Sequence, residues 1–231
     1  MNIQKKEIIT DLTELDKLGR AEEINITKEN RLMREIVANL KRTMRKNNLT
    51  SLSAPAIGYN KRIFCIDFSD KEIKTFINPL ITRLEGLELT REVCSSIPNK
   101  EFIRPRNTLV GLIYQTPTGV IKNNTFKGVA ASVIQHEIDH LEGITLSDIG
   151  LEVDEDFDNA TDEERFEIIN MYLDSLDLTR KDLVQEFAQD KKLKNSYDAD
   201  RFVEMLAEGK IELEAVQAEK EENNAEHEHA D

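Results

Sequence analysis

One nonapeptide, residues 135–143, restricts what this chain can fold into more than any other part of the sequence. It reads Gln-His-Glu-Ile-Asp-His-Leu-Glu-Gly, so His136 and His140 stand four residues apart and Glu137 follows the first of them. Because an α-helix has about 3.6 residues per turn, this spacing brings both imidazoles to one helix face. Helices that hold a catalytic metal ion use this pattern, with the glutamate acting on a water at the metal. We therefore predict a helix that carries a metal site.

Apolar residues surround the two histidines and predict that this helix is buried. They are Val129, Ala130, Val133, Ile134 and Leu141. Histidine and glutamate side chains in an apolar interior are costly to desolvate unless they have partners, and a bound metal ion provides one. The other two histidines of the sequence, His227 and His229, lie in a polar and charged terminal segment, where we do not expect a metal site.

The motif supplies two ligands, and a third ligand decides the class of the site. The metzincin pattern requires a histidine six residues after the second histidine, and this position is Leu146, which excludes that class. The thermolysin-like class takes a glutamate from further along the chain. Glu163, Glu164 and Glu167 are candidates of that kind, although they lie in an acidic stretch where glutamates are common. The thermolysin-like alternative therefore stays open.

Cys94 is the stronger candidate for the third ligand. The sequence has only two cysteines, Cys65 and Cys94, and Cys94 stands between a strand-like run at residues 87–93 and Pro98. This position predicts a strand end from which the sulfur can face the helix. A lone cysteine is often just a small buried residue. However, two distant cysteines give no reason to expect a disulfide, and a reduced thiolate can bind a metal ion.

The order and content of three motifs resemble those of the peptide deformylase family. The family motifs are Gly-x-Gly-Leu-Ala-Ala-x-Gln, Glu-Gly-Cys-Leu-Ser and Gln-His-Glu-x-Asp-His-Leu-x-Gly, and they correspond here to residues 49–56, 92–96 and 135–143. The third match is complete. The family also pairs an arginine with the glutamate of the second motif, and these residues are here Arg106 and Glu92. The resemblance spans residues 7–150.

The resemblance implies a fold, a cofactor and a set of catalytic residues. The fold would be α+β, with antiparallel sheets around a central metal-binding helix and a helical extension after it. Cys94, His136 and His140 would hold one divalent metal ion. Iron(II) is the metal that the family prefers, and zinc(II) or nickel(II) can replace it. Glu137 would be the general base, and the backbone N–H of Ser95 would donate to the oxyanion.

The first two motifs depart from the family pattern on the side expected to face the substrate. Leu49 and Ser51 replace the two glycines of the first motif. Ala56 replaces its final glutamine, whose side-chain amide helps to stabilise the oxyanion in the family. In the second motif, Val93 replaces glycine and Ser95 replaces leucine. The predicted metal ligands and base are therefore intact, whereas the predicted substrate-facing residues are changed.

These departures bear on how a substrate would bind. Family members bind the peptide as an added strand along the first two motifs, so Ser51 and Val93 would flank it here, with Ser53 nearby. Ser51 and Ser53 are also candidates to replace the missing amide donor. The partner that the resemblance implies is an N-formylated peptide or the N-terminus of a nascent chain.

Two functions remain open for a site with Cys94 as the third ligand, beside the thermolysin-like endopeptidase that a glutamate ligand would imply. The first is a metal-dependent amide hydrolase that removes an N-formyl, or a related small acyl, group from the N-terminal methionine of peptides. Its activity would be reduced or altered because Ala56 lacks the amide. The second is a catalytically weak or inactive, metal-stabilised module that recognises peptide N-termini. The retained Glu137 favours the enzyme.

Charge divides the chain at about residue 150. Residues 1–150 carry 22 Lys and Arg against 19 Asp and Glu, whereas residues 151–231 carry 9 against 26. We predict a deformylase-like metallohydrolase domain over residues 1–150, an acidic helical extension over 151–211 and a disordered acidic tail over 212–231. The acidity disfavours direct nucleic-acid binding and leaves a protein partner for the extension open. A signal peptide and a long apolar run are both absent, so we expect no membrane association and a cytoplasmic protein.

Apolar periodicity and turn residues give a coarse secondary structure. Thr27 can cap a helix that continues to Met44 and stops at Asn47 and Asn48. Strands are predicted at residues 62–68, 75–84, 87–93, 109–115 and 120–126. The last two form a hairpin. Strands gathered around a helix, without alternating strand and helix units, predict the α+β class.

The acidic extension reads as a small helical module. Thr161 and Glu164 form a capping box for its first helix. Further helical patterns follow at residues 181–189 and 200–207.

Overall fold

The computed structural model of the protein describes residues 6–68 and 72–176. The predicted α+β class is confirmed. The helices are α1 (Leu12–Leu18), α2 (Asn30–Asn47), α3 (Val129–Leu141), α4 (Leu146–Ile149), α5 (Glu155–Asn159) and α6 (Asp162–Ser175), with a 3₁₀ turn at Pro55–Ile57. The strands are β1 (Ser51–Ser53), β2 (Ile63–Asp67), β3 (Ile73–Cys94), β4 (Ile97–Gln115), β5 (Ile121–Lys127) and β6 (Leu151–Val153).

These strands form one antiparallel sheet around a long hairpin. The order is β1, β2, β3, β4 and β5, and β6 pairs with the half of β4 that β5 leaves uncovered. In the hairpin, β3 and β4 pair from Ile77 opposite Gln115 to Cys94 opposite Ile97. The hairpin therefore carries Cys94 to the far end of the sheet, at the tight turn between the two strands.

Helix α3 is fixed against the sheet by its apolar face. Ile134 and Leu141 are fully buried, and they pack in one cluster with Phe64, Phe76 and Val110 of the strands. Full burial of an aliphatic or aromatic side chain contributes about 1.5–3 kcal/mol. A second cluster joins α2 to β1 and β2. The predicted burial of the motif helix is confirmed at Ile134 and Leu141, whereas Val129, at the start of the helix, is 80% exposed. Close packing sets the position of the helix relative to the sheet.

The hairpin differs from the sequence prediction in both of its strands. Residues 75–84 and 87–93 belong to one strand, because Gly86 lets the backbone continue at a positive φ of 59° where a Cβ would lie 2.0 Å from Thr108 Oγ1. The first half of β4 was not predicted because Pro98 and Pro105 suggest breaks. Pro105 is tolerated because β6 pairs at residues 101–103 and β5 at 109–115, so β4 has a partner on only one side there.

Two helix boundaries show where local sequence signals succeed and fail. Helix α2 starts at Asn30 rather than after Thr27, because the Asn25 side chain accepts hydrogen bonds from the backbone of the preceding turn. The predicted stop is confirmed, since Asn48 adopts the left-handed conformation that ends a helix. Gly128 precedes α3 at a positive φ of 56°.

Residues 151–176 continue the sheet. Strand β6 pairs with residues 101–103 of β4, and Phe157, Ile169 and Leu173 pack with Ile103 in a separate cluster. The predicted capping box of Thr161 and Glu164 is present at the start of α6. The predicted helices at residues 181–189 and 200–207 and the predicted tail lie outside the described residues, and the boundary at residue 150 stays a prediction. In the described part of the chain no helix has both the length and the apolar character that a membrane span requires.

Candidate active site

The end of β3 and the middle of α3 bring together three side chains that could hold a metal ion. The candidate ligand atoms of Cys94, His136 and His140 all lie within 4.8 Å of one another. Cys94 Sγ is 3.2 Å from His140 Nε2, and both residues are buried. The four-residue spacing of the histidines places both rings on the helix face that meets the strand end. The geometry agrees with the predicted ligand set, which itself stays a prediction.

A buried ion pair holds the first histidine in orientation. Glu92 Oε2 lies 2.9 Å from His136 Nδ1, which leaves the other ring nitrogen for the cluster. Arg106 binds both carboxylate oxygens of Glu92, at 2.7 and 2.9 Å, and its third nitrogen lies 2.5 Å from Asp139 Oδ2. A bidentate pair of this kind fixes geometry as well as charge. The pairing that the resemblance implied for Glu92 and Arg106 is therefore present in the structure.

The charges of this network follow from burial and pairing. Burial alone would raise the pKa of the Glu92 carboxyl, but its hydrogen bonds to Arg106 and His136 hold that pKa well below the usual range. Burial lowers the pKa of His136, but its bonds to Cys94 and Glu92 raise it overall to about 10. For His140, burial and the nearby charge of His136 lower the pKa to about 3. Glu92 is therefore a fixed negative charge behind His136.

Glu137 has the environment of a proton acceptor. Its side chain is 3% exposed, and among the described residues its Oε2 atom has no hydrogen-bond partner. Burial raises the pKa of this carboxyl, while His136, Ser51 and Ser53 act in the opposite direction. A buried carboxyl group with a raised pKa and an oxygen that makes no hydrogen bond is suited to accept a proton.

The first motif lies on β1 and the 3₁₀ turn after it, opposite the metal cluster. Ser51 and Ser53 of β1 face Glu137 closely enough to affect its pKa. Ala56 is 2% exposed and sits in the 3₁₀ turn, where its methyl side chain provides no hydrogen-bond donor. Its carbonyl accepts from Ile9 N at 2.8 Å, which anchors the turn to the N-terminal segment.

A cavity of about 270 Å³ adjoins the cluster at His136. Two of the three predicted substrate-binding residues, Ser51 and Val93, line it. Ser53 does not line this cavity and is fully buried. Ser95 lies in the turn directly after Cys94. The three substrate-binding assignments stay predictions, as does the role of Ser95.

The donor set fits a borderline-soft divalent ion. One thiolate and two imidazoles are the ligand types that zinc and iron favour, whereas magnesium and calcium take oxygen ligands. The second cysteine, Cys65, is not part of the cluster, and burial raises the pKa of its thiol to about 12. Within residues 6–68 and 72–176, the glutamates of α6 do not join this cluster, so the thermolysin-like alternative receives no support.

Sequence reasoning missed two side chains that support the site. Gln135 accepts from Asn107 N at 3.0 Å and donates to Asn107 O at 2.9 Å, which ties α3 to β4 directly beside the histidines. Ser132 lines the cavity one turn before His136. Gln135 stands in the third motif, so its presence there was a usable signal, whereas nothing in the sequence distinguished Ser132 from an ordinary helix serine.

Comparisons with known proteins agree with this geometry. The sequence model of the polypeptide deformylase family matches residues 13–152. The chain is 37% identical over 120 residues to the peptide deformylase of Dictyoglomus turgidum, covering 52% of this chain and 78% of that one. It is also 37% identical over 151 residues to the peptide deformylase of Flavobacterium johnsoniae, covering 58% of this chain and 75% of that one.

Solved structures of peptide deformylases share the fold of this chain. The crystal structure of the Thermotoga maritima peptide deformylase superposes with a TM-score of 0.57 at 27% identity, covering 63% of this chain and 97% of that one. A probable peptide deformylase from Synechococcus phage S-SSM7 gives a TM-score of 0.56 at 30% identity, covering 62% and 98%. The chain therefore belongs to the polypeptide deformylase family of metallohydrolases.

Proposed function

We propose that the protein is a metal-dependent amide hydrolase that removes the N-formyl, or a related small acyl, group from the N-terminal methionine of peptides, at a reduced or altered rate. Its substrate is an N-formylated peptide or the N-terminus of a nascent chain. The observation that carries this proposal is the convergence of the ligand atoms of Cys94, His136 and His140 within 4.8 Å, beside the unpartnered carboxylate oxygen of Glu137.

Cys94, His136 and His140 are the proposed metal ligands, and iron(II) is the proposed metal, with zinc(II) or nickel(II) as substitutes. When bound by these three side chains, such an ion would polarise the substrate carbonyl and lower the pKa of water towards neutrality. Glu137 takes the proton of the attacking water and passes it to the leaving amine. Its burial favours this role, because a raised pKa lets the carboxyl both accept and release a proton. Glu92 and Arg106 keep His136 in its ligating orientation.

The oxyanion has fewer donors in this chain than the family motif provides. We assign one donor to the backbone N–H of Ser95, which follows Cys94 in the turn. Ala56 occupies the position of the family's glutamine and offers no second donor. Loss of one such donor costs about 10²–10³ in rate if nothing replaces it. Ser51 and Ser53 are the side chains near enough to Glu137 to compensate.

The substrate backbone is proposed to bind as an added strand at the open edge of β3. Strand β2 pairs with β3 only at residues 73–77, so the edge near Val93 has no strand partner on that side among the described residues. Ser51 and Val93 line the adjoining cavity from β1 and β3. Main-chain hydrogen bonds at such an edge give affinity without depending on side-chain identity. This supports peptide binding despite the replacement of glycine at Ser51 and Val93.

A second candidate function is a metal-stabilised binding module for peptide N-termini. The observation in its favour is the buried methyl group of Ala56, which leaves the site short of one donor while the ligand cluster is complete. Glu137 argues against it: the residue is buried, its Oε2 atom has no hydrogen-bond partner among the described residues, and its raised pKa serves proton transfer rather than binding.

One experiment separates these functions. Formate release from N-formyl-methionyl-alanyl-serine is measured with anaerobically purified protein, before chelation, after chelation and after iron(II) is returned. The proposed enzyme releases formate slowly, loses this activity with the metal and regains it on reloading. The N-acetyl peptide, run in parallel, shows whether a larger acyl group is accepted. Binding of either peptide without any hydrolysis would identify the binding module instead.

A further inference from the structure

The outer face of α2 carries a row of arginines. The apolar residues of this helix, among them Met33, Ile36 and Leu40, are buried against β1 and β2. On the opposite side, four arginines and Ala38 follow one another at spacings of three and four residues. They therefore share one face of the helix, about 21 Å long. We call this the arginine face, and its exposed residues are Arg31, Arg34, Arg42 and Arg45.

The charges of the arginine face are not balanced within the described part of the chain. None of its four arginines forms an ion pair or a side-chain hydrogen bond there. Glu35 is the only acidic residue of α2, and it accepts a hydrogen bond from the Tyr59 hydroxyl at 2.9 Å. Like charges one turn apart on a helix repel each other, so an acidic partner would stabilise this face.

The other arginines of the described residues all bond an acceptor within the protein. Arg104 donates to the Ile149 carbonyl at 3.3 Å. The rest pair with carboxylates, and they are Arg20, Arg62, Arg83, Arg91, Arg106 and Arg165. The arginines without an acceptor are therefore concentrated on one face of one helix.

The character of the arginine face indicates what kind of partner fits it. Helix α2 is described over its whole length and exposes no large apolar side chain. Insertion into a membrane surface needs exposed apolar groups beside the basic ones, so this helix lacks what such binding requires. A guanidinium group binds a carboxylate through two parallel hydrogen bonds. The face therefore fits a segment rich in carboxylates.

The chain itself supplies such a segment at residues 212–231, the acidic tail. It contains eight aspartates and glutamates and one lysine, Lys220. The connecting residues, 177–211, can extend to about 115 Å, whereas a domain of this size is about 40 Å across. The tail can therefore reach α2 from Leu176, where the described residues end. Because the tail is tethered, its effective concentration at α2 is in the millimolar range.

We propose that the arginine face binds the acidic tail of the same chain. Carboxylates of the tail pair with the exposed guanidinium groups, which neutralises the face and covers it against other polyanions such as RNA. Single exposed ion pairs are weak, so the binding depends on several pairs and on the tether. The inference does not depend on the proposed catalytic function, because no residue of the metal cluster takes part in it.

The test is carbodiimide cross-linking of the full chain, which joins a carboxylate to a lysine amine only where the two are in contact. Lys41 and Lys46 lie beside the arginine face, and Lys122 and Lys127 of β5 are reference amines on another surface. Mass spectrometry locates the links, and an equal mixture of isotope-labelled and unlabelled chains separates links within a chain from links between chains. Tail links should fall on Lys41 and Lys46 of the same chain and disappear in about 0.5 M salt.

Two double variants give matched changes in charge. Arg42→Gln with Arg45→Gln removes two charges from the arginine face, retains helix propensity and should lower the yield of these links about fivefold. Lys122→Gln with Lys127→Gln removes the same charge from β5 and should leave the yield unchanged. The salt dependence in the unmodified chain is an independent readout that requires no variant.

Equal yields in the unmodified chain and in the double arginine variant would overturn the inference, as would tail links spread evenly over α2 and β5. Links found only between chains would assign the face to the tail of a second copy and would also overturn it. Polyuridylate is the probe for RNA, and the unmodified chain should not bind it. Binding that the double arginine variant loses would assign the face to RNA instead of the tail.

Discussion

The two sides of the site have diverged to different extents. The side predicted to hold the metal keeps the ligands, the base and the glutamate–arginine pair of the family motifs, and the structure joins Cys94, His136 and His140 to the Glu92 and Arg106 pair in one network. The side predicted to face the substrate carries replacements at Leu49, Ser51, Ala56 and Val93. The comparison teaches that the two parts of the site tolerate substitution unequally. Buried charged side chains need their charged partners, whereas side chains that line a cavity can be replaced one at a time.

Physical reasons for this difference lie in burial. Arg106 is 3% exposed and bonds two carboxylates, so its loss would leave Glu92 in the interior without its arginine partner. By contrast, Val93 is 68% exposed, and a change there alters only what can bind. We therefore expect any single substitution among the metal-side residues to have a large effect on metal binding and activity. Substitutions on the substrate side should have smaller, graded effects on activity.

The largest expected effect is loss of the metal. Cys94→Ala should abolish stoichiometric metal binding and activity and lower the melting temperature, since a metal ion stabilises the folded ligand arrangement. Cys65→Ala is the matched control, because Cys65 is equally buried but lies outside the cluster. Metal content by mass spectrometry and thermal melts provide the readouts. Full metal retention in Cys94→Ala would reject the ligand assignment.

Removal of the proposed base should give the next largest effect. Glu137→Gln keeps the shape of the side chain but cannot accept a proton, so kcat should fall by about 10²–10⁴ while one metal ion per chain is retained. Steady-state kinetics and metal analysis of the same sample separate the two quantities. A rate close to that of the unmodified chain would show that another group moves the proton.

A smaller effect, on metal affinity, is expected from substitution of Glu92, the residue that bonds His136. Glu92→Gln weakens the hydrogen bond that orients His136 and removes one of the two negative charges paired with Arg106. Metal affinity should therefore fall by about 10–100-fold. Glu85→Gln, on the same strand but bonded to Arg83, is the control. Competition with a metal chelator gives both affinities. Equal affinities in the two variants would mean that Glu92 does not orient the ligand.

The smallest effect on the site should follow from truncation after Gly150. The clusters that fix α3 end before this point, so the shortened chain should still bind one metal ion. Ile103 loses the cover of Phe157, Ile169 and Leu173. A few kcal/mol of lost burial corresponds to a fall of roughly 5–10 °C in melting temperature. An unfolded product would place residues 151–176 within the essential core.

The sequence was sufficient for the metal side because its signals are local and chemical. A four-residue histidine spacing, a scarce cysteine and a complete third motif identify side chains whose chemistry allows few other roles. These side chains meet at the end of the β3–β4 hairpin, whose full length could not be predicted from the sequence. Gly86 and Pro105 suggest strand breaks until the residues that face them are known. The cavity could not be predicted from the sequence, because Ser132 is recognised as a lining residue only once the strand residues opposite it are known.

The contrast between the metal side and the substrate side is tested most directly by the rate of Ala56→Gln on an N-formyl-methionyl peptide. The metal content of the variant is matched to that of the unmodified chain. If the metal side is complete and the substrate side lacks one oxyanion donor, the restored amide should raise kcat by about 10²–10³ and change KM little, since it acts on charge that develops during attack. Addition of Glu137→Gln should remove that gain. An unchanged kcat in folded, metal-loaded Ala56→Gln would contradict the account.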